Sequence, residues 1–242
     1  MTRADWRRAL AALVVVVCAT TPAVAAAGLF MPMQLSVDPL PPGWTQHRIG
    51  AYHQVQERDA YRLTQSGVTY TWRRADEDGA WLAGGRLGSF DESQSRWTGS
   101  SYGGTLGREF SFGDTRQQAV ILRAMLDDML GSVPGNCNGV ANSCTYYSDR
   151  YAHGAELGYR YALRAGVVRV VPFAAFTGYR VASDVRCEVN CAASAPPASR
   201  VWDTERYVTL GLGFIAPHVM LVVGESAGSG MRALNVQLGL RF

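Results

Sequence analysis

The chain closes on Leu234-Asn235-Val236-Gln237-Leu238-Gly239-Leu240-Arg241-Phe242, and the order of these residues decides the fold class. Leu234, Val236, Leu238, Leu240 and Phe242 fall on one parity; Asn235, Gln237, Gly239 and Arg241 fall on the other. Successive side chains of a strand point to opposite faces, so the segment reads as a strand with one apolar face and one polar or small face. Two architectures accept such a strand. In a soluble sandwich or lipocalin-like barrel the apolar face looks inward. In a transmembrane barrel it looks outward into lipid and the polar face lines the lumen. The aromatic ring at Phe242 favours the second.

Working outward, the far end of the chain reads as an export signal. Arg3, Arg7 and Arg8 form a positive region, residues 9–17 an apolar core, and Ala23-Val24-Ala25 a small-residue cleavage site, which predicts a signal peptide over residues 1–25. The apolar run is interrupted by Thr20, Thr21 and Pro22 before it reaches membrane-spanning length. No later run is long and apolar enough for a membrane helix, so any span must be built of strands. The 26 Gly, 11 Tyr, 8 Phe and 6 Trp suit a strand-rich chain with small lumen residues and aromatic girdles. All 23 basic residues are Arg. Removing Arg3, Arg7, Arg8 and Asp5 with the signal takes the formal charge from +3 to +1, too weak a field to attract nucleic acid.

Together these features resemble the class of bacterial outer-membrane β-barrel proteins, whose closing strand ends on an aromatic residue with apolar residues at alternate positions before it. The resemblance implies the outer membrane of a Gram-negative bacterium, contact with its lipid, and recognition of Leu234, Val236, Leu238, Leu240 and Phe242 by the barrel-assembly machinery. No cofactor and no metal are implied.

Reading back from Phe242, alternation recurs. Val208, Leu210, Leu212 and Phe214 oppose Thr209, Gly211 and Gly213; His153, Ala155, Leu157, Tyr159, Tyr161 and Leu163 oppose Gly154, Glu156, Gly158, Arg160 and Ala162. Tyr102, Gly104, Leu106, Phe110 and Phe112 form a further apolar parity, on which Arg108 intrudes. An unpaired Arg in mid-membrane costs about 2–4 kcal/mol, so Arg108 must lie near an interface or the register must slip. The expected fold is all-β: a closed antiparallel up-and-down transmembrane barrel of about eight strands from residue 59 onward, with ten as the near alternative. In that alternative residues 26–58 supply the extra strands, near residues 33–37 and 44–56. The segments 113–150 and 183–205 are expected as long external loops. Within the first, Ala119, Leu122, Met125, Leu126, Met129 and Leu130 share one helical face, which predicts a helix over residues 115–130.

Four cysteines remain after the signal, Cys137 near Cys144 and Cys187 near Cys191, with no His close in sequence to complete a metal set. Disulfides that staple the loops are expected, with connectivity open between pairings within and across them. Arg73, Arg86, Glu109, Glu156, Arg160, Asn235, Gln237 and Arg241 fall on lumen parities and are expected to form an internal polar network. No phosphate loop, nucleophile elbow or metal-ligand spacing is present, so a non-enzymatic role is expected. That role is structural or interaction-based, through the external loops toward an extracellular or envelope protein partner. The alternatives are a narrow solute channel, a barrel enzyme acting on lipid or peptide with His153 as its base, and a soluble periplasmic lipocalin-like binder.

Overall fold

A computed structural model of the protein describes residues 39–58, 61–113, 115–137, 140–189 and 199–242. The expected signal peptide and the strand anticipated near residues 33–37 lie outside the described residues. The described chain is strand throughout: β1 (Thr45–Arg58), β2 (Tyr61–Ala75), β3 (Gly79–Glu92), β4 (Thr98–Phe112), β5 (Gln118–Cys137), β6 (Val140–Tyr161), β7 (Leu163–Ala165), β8 (Val168–Val189), β9 (Ser199–Ile215), β10 (Val219–Gly228) and β11 (Met231–Arg241). Every neighbour pairs antiparallel, β1 pairs β11, and β6 pairs β8, so the sheet closes on itself. Ten long strands make the wall. The short β7 carries the β6 register past a break at Ala162: Arg160 faces Phe173, and Leu163 still faces Val170 at the same offset.

The apolar parity faces out. Leu234, Leu238, Leu240 and Phe242 are 52–69% exposed, whereas Asn235 and Gln237 on the same strand are 8% and 4% exposed. A soluble core would reverse this, so the lipocalin-like alternative is set aside. The same outward set continues around the wall through Leu210, Leu212, Leu221, Leu157, Leu122, Leu106, Leu87 and Val68. Closure matters because a lipid-exposed sheet edge would leave backbone N–H and C=O groups without partners, at several kcal/mol each. At the seam the last residue completes the ladder: Phe242 N–H donates to His47 O at 3.0 Å and His47 N–H to Phe242 O at 2.9 Å.

Three expectations need correction. The residues expected to be helical, 115–130, instead run into β5, an extended strand paired along its length with β4 and β6. Its lumen face mixes Ile121, Met125 and Met129 with Arg123 and Asp127, and its outer face mixes Leu122 and Leu126 with Asp128, which erases the two-residue period and mimics a helical one. The segment 113–150 is accordingly not one long loop but a short turn, β5, a connection near residue 138 and the first half of β6. Likewise most of 183–205 is wall, since β8 reaches Val189 and β9 starts at Ser199. The strand count is ten, the two beyond eight being β1 and β5. This extra strand also reverses the ends: the turns at residues 76–78 and 113–117 lie at the end that holds Phe242, and the turn at 93–97 lies opposite. We call these the terminal and distal ends.

Arg108 keeps its register. It points outward near the terminal end, where it grips the Asp76 carboxylate through two nitrogens, one at 2.8 Å, and its guanidinium lies 5.1 Å from the Trp81 ring. The paired guanidinium holds the Asp76 carboxyl down at about 2, below its ordinary value.

Candidate functional site

The lumen is the place where polar chemistry is concentrated. A closed ten-stranded wall points every second side chain inward, and the Arg, Glu, Gln and Thr on those parities must satisfy one another there. Near the terminal end Glu109 of β4 sits at the centre. Its Oε2 accepts from Arg73 of β2 at 3.0 Å, and its Oε1 accepts from Arg160 of β6 and from the Ser111 hydroxyl at 3.1 Å. Arg73 also donates to Gln46 Oε1 at 3.1 Å, which accepts from Arg48 at 2.8 Å. One chain of contacts, Arg48–Gln46–Arg73–Glu109–Arg160, thus crosses the lumen from β1 to β6.

Midway along, Arg86 of β3 donates to Asp127 of β5 at 2.9 Å and to Gln65 at 3.4 Å. Arg123 of β5 pairs with Glu156 of β6, whose other oxygen accepts from Thr177 at 3.3 Å. On the seam side Gln237 donates to Thr69 at 2.6 Å, and Asn235 to Ser226 at 3.4 Å. Apolar clusters fill what remains. Phe90, Trp97, Met129 and Tyr207 pack toward the distal end; Leu82, Ile121, Phe173 and Met220 pack toward the terminal end. Among the described residues, the buried ions are Arg48, Arg73, Arg86, Arg123 and Arg160 against Glu92, Glu109, Asp127, Glu156 and Glu205. Arg73 and Arg160 share Glu109, Arg86 pairs with Asp127 and Arg123 with Glu156, while toward the distal end Glu92 and Glu205 accept from Ser95 and Tyr207.

Seven of the eight residues assigned to the lumen network lie inside the barrel and bond there. The exception is Arg241, which stands at the terminal rim and donates to Pro217 O at 2.7 Å. There it lines a cleft of about 340 Å3 with Arg164, Arg169, Val167 and Ile215. Arg48, Arg123, Asp127 and Glu205 were not anticipated. Arg123 and Asp127 alternate inward on β5, a signal hidden by the helical reading.

The terminal mouth is covered as well. Pro39 O accepts from Arg169 of β8 at 3.4 Å, Leu40 O accepts from Arg116 at 2.9 Å, and Gly43 N–H donates to Ala75 O at 2.9 Å. Residues 39–44 therefore run from the β1 seam across the opening to β8. Arg116 also donates to Asp76 O and Glu77 O, which locks this strap to the β2–β3 turn.

The four histidines stay apart. His47 bonds Tyr70 Oη at 2.7 Å and stacks on Phe242 at 5.9 Å; His53 bonds Ser66 at 2.8 Å; His218 lies in the exposed β9–β10 turn. His153 faces outward between Tyr151 and Trp202, with ring centroids 5.9 and 5.8 Å away. Among the described residues no group of His, Cys, Asp or Glu is arranged to hold a metal ion. Cys144 is buried on β6 and Cys187 lies on β8, while the Cys137 side chain and Cys191 fall outside the described residues.

No protein-family profile matches the sequence. No curated protein is similar to it in sequence. Among solved structures, the translocator domain of the autotransporter NalP from Neisseria meningitidis is similar over 82% of this chain and 88% of that one, with 7% identity and a TM-score of 0.52. The outer-membrane protease OmpT from Escherichia coli is similar over 87% and 99%, with 8% identity and a TM-score of 0.47. The β domain of the Bordetella autotransporter BrkA is similar over 82% and 98%, with 18% identity and a TM-score of 0.44. The likeness is one of fold. The chain is a closed β-barrel of the outer-membrane kind, as the closing strand implies.

Proposed function

We propose that the protein is a closed, non-enzymatic barrel of the Gram-negative outer membrane that acts through its distal surface. In this reading the terminal end faces the periplasm and the distal end faces outward, because β5, β6 and β8 outrun the neighbouring strands at the distal end. Lipid surrounds the apolar belt, and the assembly machinery engages the strand that ends at Phe242.

The observation that carries the reading is the contrast between a braced lumen and a raised distal wall. Ion pairs and apolar clusters brace the interior and the strap crosses one mouth, which supports a closed lumen over the solute-channel alternative. At the other end β5 outruns β4: Thr98 faces Ser132, and beyond it β5 pairs with β6 alone to Cys137. Five further residues at about 3.4 Å each carry this ribbon roughly 17 Å along the strand direction past the end of β4. β8 flanks it up to the pairing of Val189 with Thr145. Cys144 of β6 and Cys187 of β8 belong to this raised region, and we assign the cysteines to disulfides that keep the ribbon rigid in an oxidising environment. A rigid ribbon standing clear of the membrane suits contact with an extracellular or envelope protein.

Two measurements test the proposal. Reconstituted in a planar bilayer, the full chain should show no sustained conductance step, and a steady open level would overturn the closed-lumen reading. On intact cells, protease should cut the ribbon between β5 and β6 from outside while the barrel remains folded. Protection of the ribbon until the outer membrane is broken would reverse the assigned orientation.

A further inference from the structure

On the outer wall, the register of β6, β8 and β9 stacks outward residues in rows. Leu157, Phe176 and Val208 form one row at the upper limit of the apolar belt; the next row toward the distal end is Ala155, Gly178 and Arg206; the one above it is His153, Arg180 and Thr204. Apolar surface thus gives way within two rows to two arginines. Arg180 lies 4.7 Å from the Trp202 ring, which stands edge-on to His153 at 5.8 Å. The ring fixes the guanidinium's direction and leaves its N–H donors available. Among the described residues neither Arg180 nor Arg206 has a carboxylate partner, while two rows beyond Arg180 Asp184 is engaged by Arg200 at 3.7 Å. Arg206 lies diagonally across the strand pair from Arg180, about 7–8 Å apart at the backbone and on the side of Thr204 away from Trp202, so an anion seated between the two rows is flanked by both residues. Between them the outer surface is low: Gly178, opposite Arg206, carries no side chain, a Cβ there would stand in open space, and its other neighbour is Ala155.

We propose that this patch binds the phosphate of an anionic lipid in the leaflet at the distal end. Arg180 and Arg206 clamp the phosphate, and an acyl chain lies in the notch over Ala155 and Gly178 toward Phe176 and Val208. The position argues for a lipid. A free anion gains nothing from the notch, and a protein partner would have to reach down to the belt where acyl chains already pack. The inference rests on the outer-membrane reading, and the experiment separates the two.

The full chain, folded in a neutral detergent, is mixed with equal amounts of phosphatidylglycerol and phosphatidylcholine of matched chains, and retained lipid is counted by native mass spectrometry. The expected result is a preference for phosphatidylglycerol of about tenfold, reduced to near parity in R180Q/R206Q. The control R62Q/R232Q, on β2 and β11 at the same end of the wall and away from the β8–β9 patch, should keep the preference. Gly178→Leu fills the notch without touching the wall, and should lower retention of phosphatidylglycerol while glycerol phosphate binds as before. Each variant is first checked for heat-modifiable gel mobility. Loss of that shift in the unaltered chain refutes the barrel reading itself, whereas an intact shift with unchanged selectivity in R180Q/R206Q refutes the lipid site alone. Displacement of the lipid by millimolar inorganic phosphate, or equal retention of phosphatidylcholine, also overturns the proposal.

Discussion

Glu109→Gln is the sharpest probe of the lumen. Glu109 is 1% exposed at its side chain, and the Arg73 and Arg160 guanidiniums that grip its two oxygens are fully buried. Glutamine has the same shape, yet it accepts at only one end and turns an amide donor toward the other guanidinium. Two buried cations then face each other without their shared anion. Breaking a buried ion pair by removing one partner costs about 3–5 kcal/mol, because the remaining charge stays desolvated. With a urea slope of about 2 kcal/mol/M, the unfolding midpoint of the reconstituted barrel should fall by roughly 1.5–2.5 M. The triple variant E109L/R73M/R160M supplies the contrast. It removes all three charges and replaces them with apolar volume, so its stability should stay within about 1 kcal/mol of the parent or exceed it. Urea titration followed by gel mobility reads both. A loss below about 1 kcal/mol for Glu109→Gln, or a triple variant as damaged as the single one, would refute the claim that burial of an uncompensated charge sets the cost.

Leu238→Arg places a cation on the outer face at mid-belt, opposite Ala51 and Leu221, and should cost about 2–4 kcal/mol in lipid, read from the same titration. Asp76 has a folded pKa of about 2 against an ordinary 3.8, so its contribution is complete above that ordinary value and is lost as pH falls toward about 2. Asp76→Asn should flatten the pH dependence of stability in that window, and an unchanged acid limb would count against the Arg108 pair. Phe242→Ala removes the ring stacked on His47 but leaves the backbone bonds at the seam, so the yield of heat-modifiable barrel in membranes should fall several-fold; equal yield would show that the ring is dispensable for assembly. Gly211→Val should cost about 1–3 kcal/mol, since a Cβ there would lie 2.5 Å from Val223 O and against the Phe173 ring; a neutral result in urea would mean that the wall yields at this point.

The strands that could be read from sequence are those with two unlike faces. β11 alternates Leu, Val and Leu outside with Asn, Gln and Gly inside, and β9 does the same with Thr and Gly. β1 is harder to see, because its outer face (Ile49, Ala51, His53, Val55) is only partly apolar while Gln46, Arg48, Gln54 and Gln56 hold the inner one. β5 defeats the method altogether. Its outer Leu122 and Leu126 meet lipid and its inner Ile121, Met125 and Met129 meet the packed lumen, so apolar residues occupy both faces, and with Arg123, Asp127 and Asp128 spaced four and five apart they supply a false period of 3.6. Tertiary surroundings, through the pairing of β5 with β4 and β6, decide the conformation that local propensity leaves open.

That single misread period has consequences that reach function. Counting β5 as a loop removes one crossing of the membrane, which inverts the side assigned to every turn before it. It also removes Arg123 and Asp127 from the lumen, and with them the partners of Glu156 and Arg86. Parity alone identifies which face a charge occupies; the partner depends on register across strands far apart in the chain. Gln237 and Thr69, for example, meet at 2.6 Å across 168 residues. Without β5 the expected network holds Arg73, Arg86, Arg160 and Arg241 against Glu109 and Glu156, an excess of positive charge that would suit an anion path. With β5 in place, Arg86–Asp127 and Arg123–Glu156 join Arg73–Glu109–Arg160, and ion pairs cross the interior between β2, β3, β4, β5 and β6. β5 supplies one partner to each of the two middle pairs, so the bracing on which the proposed closed lumen rests is invisible until that strand is recognised.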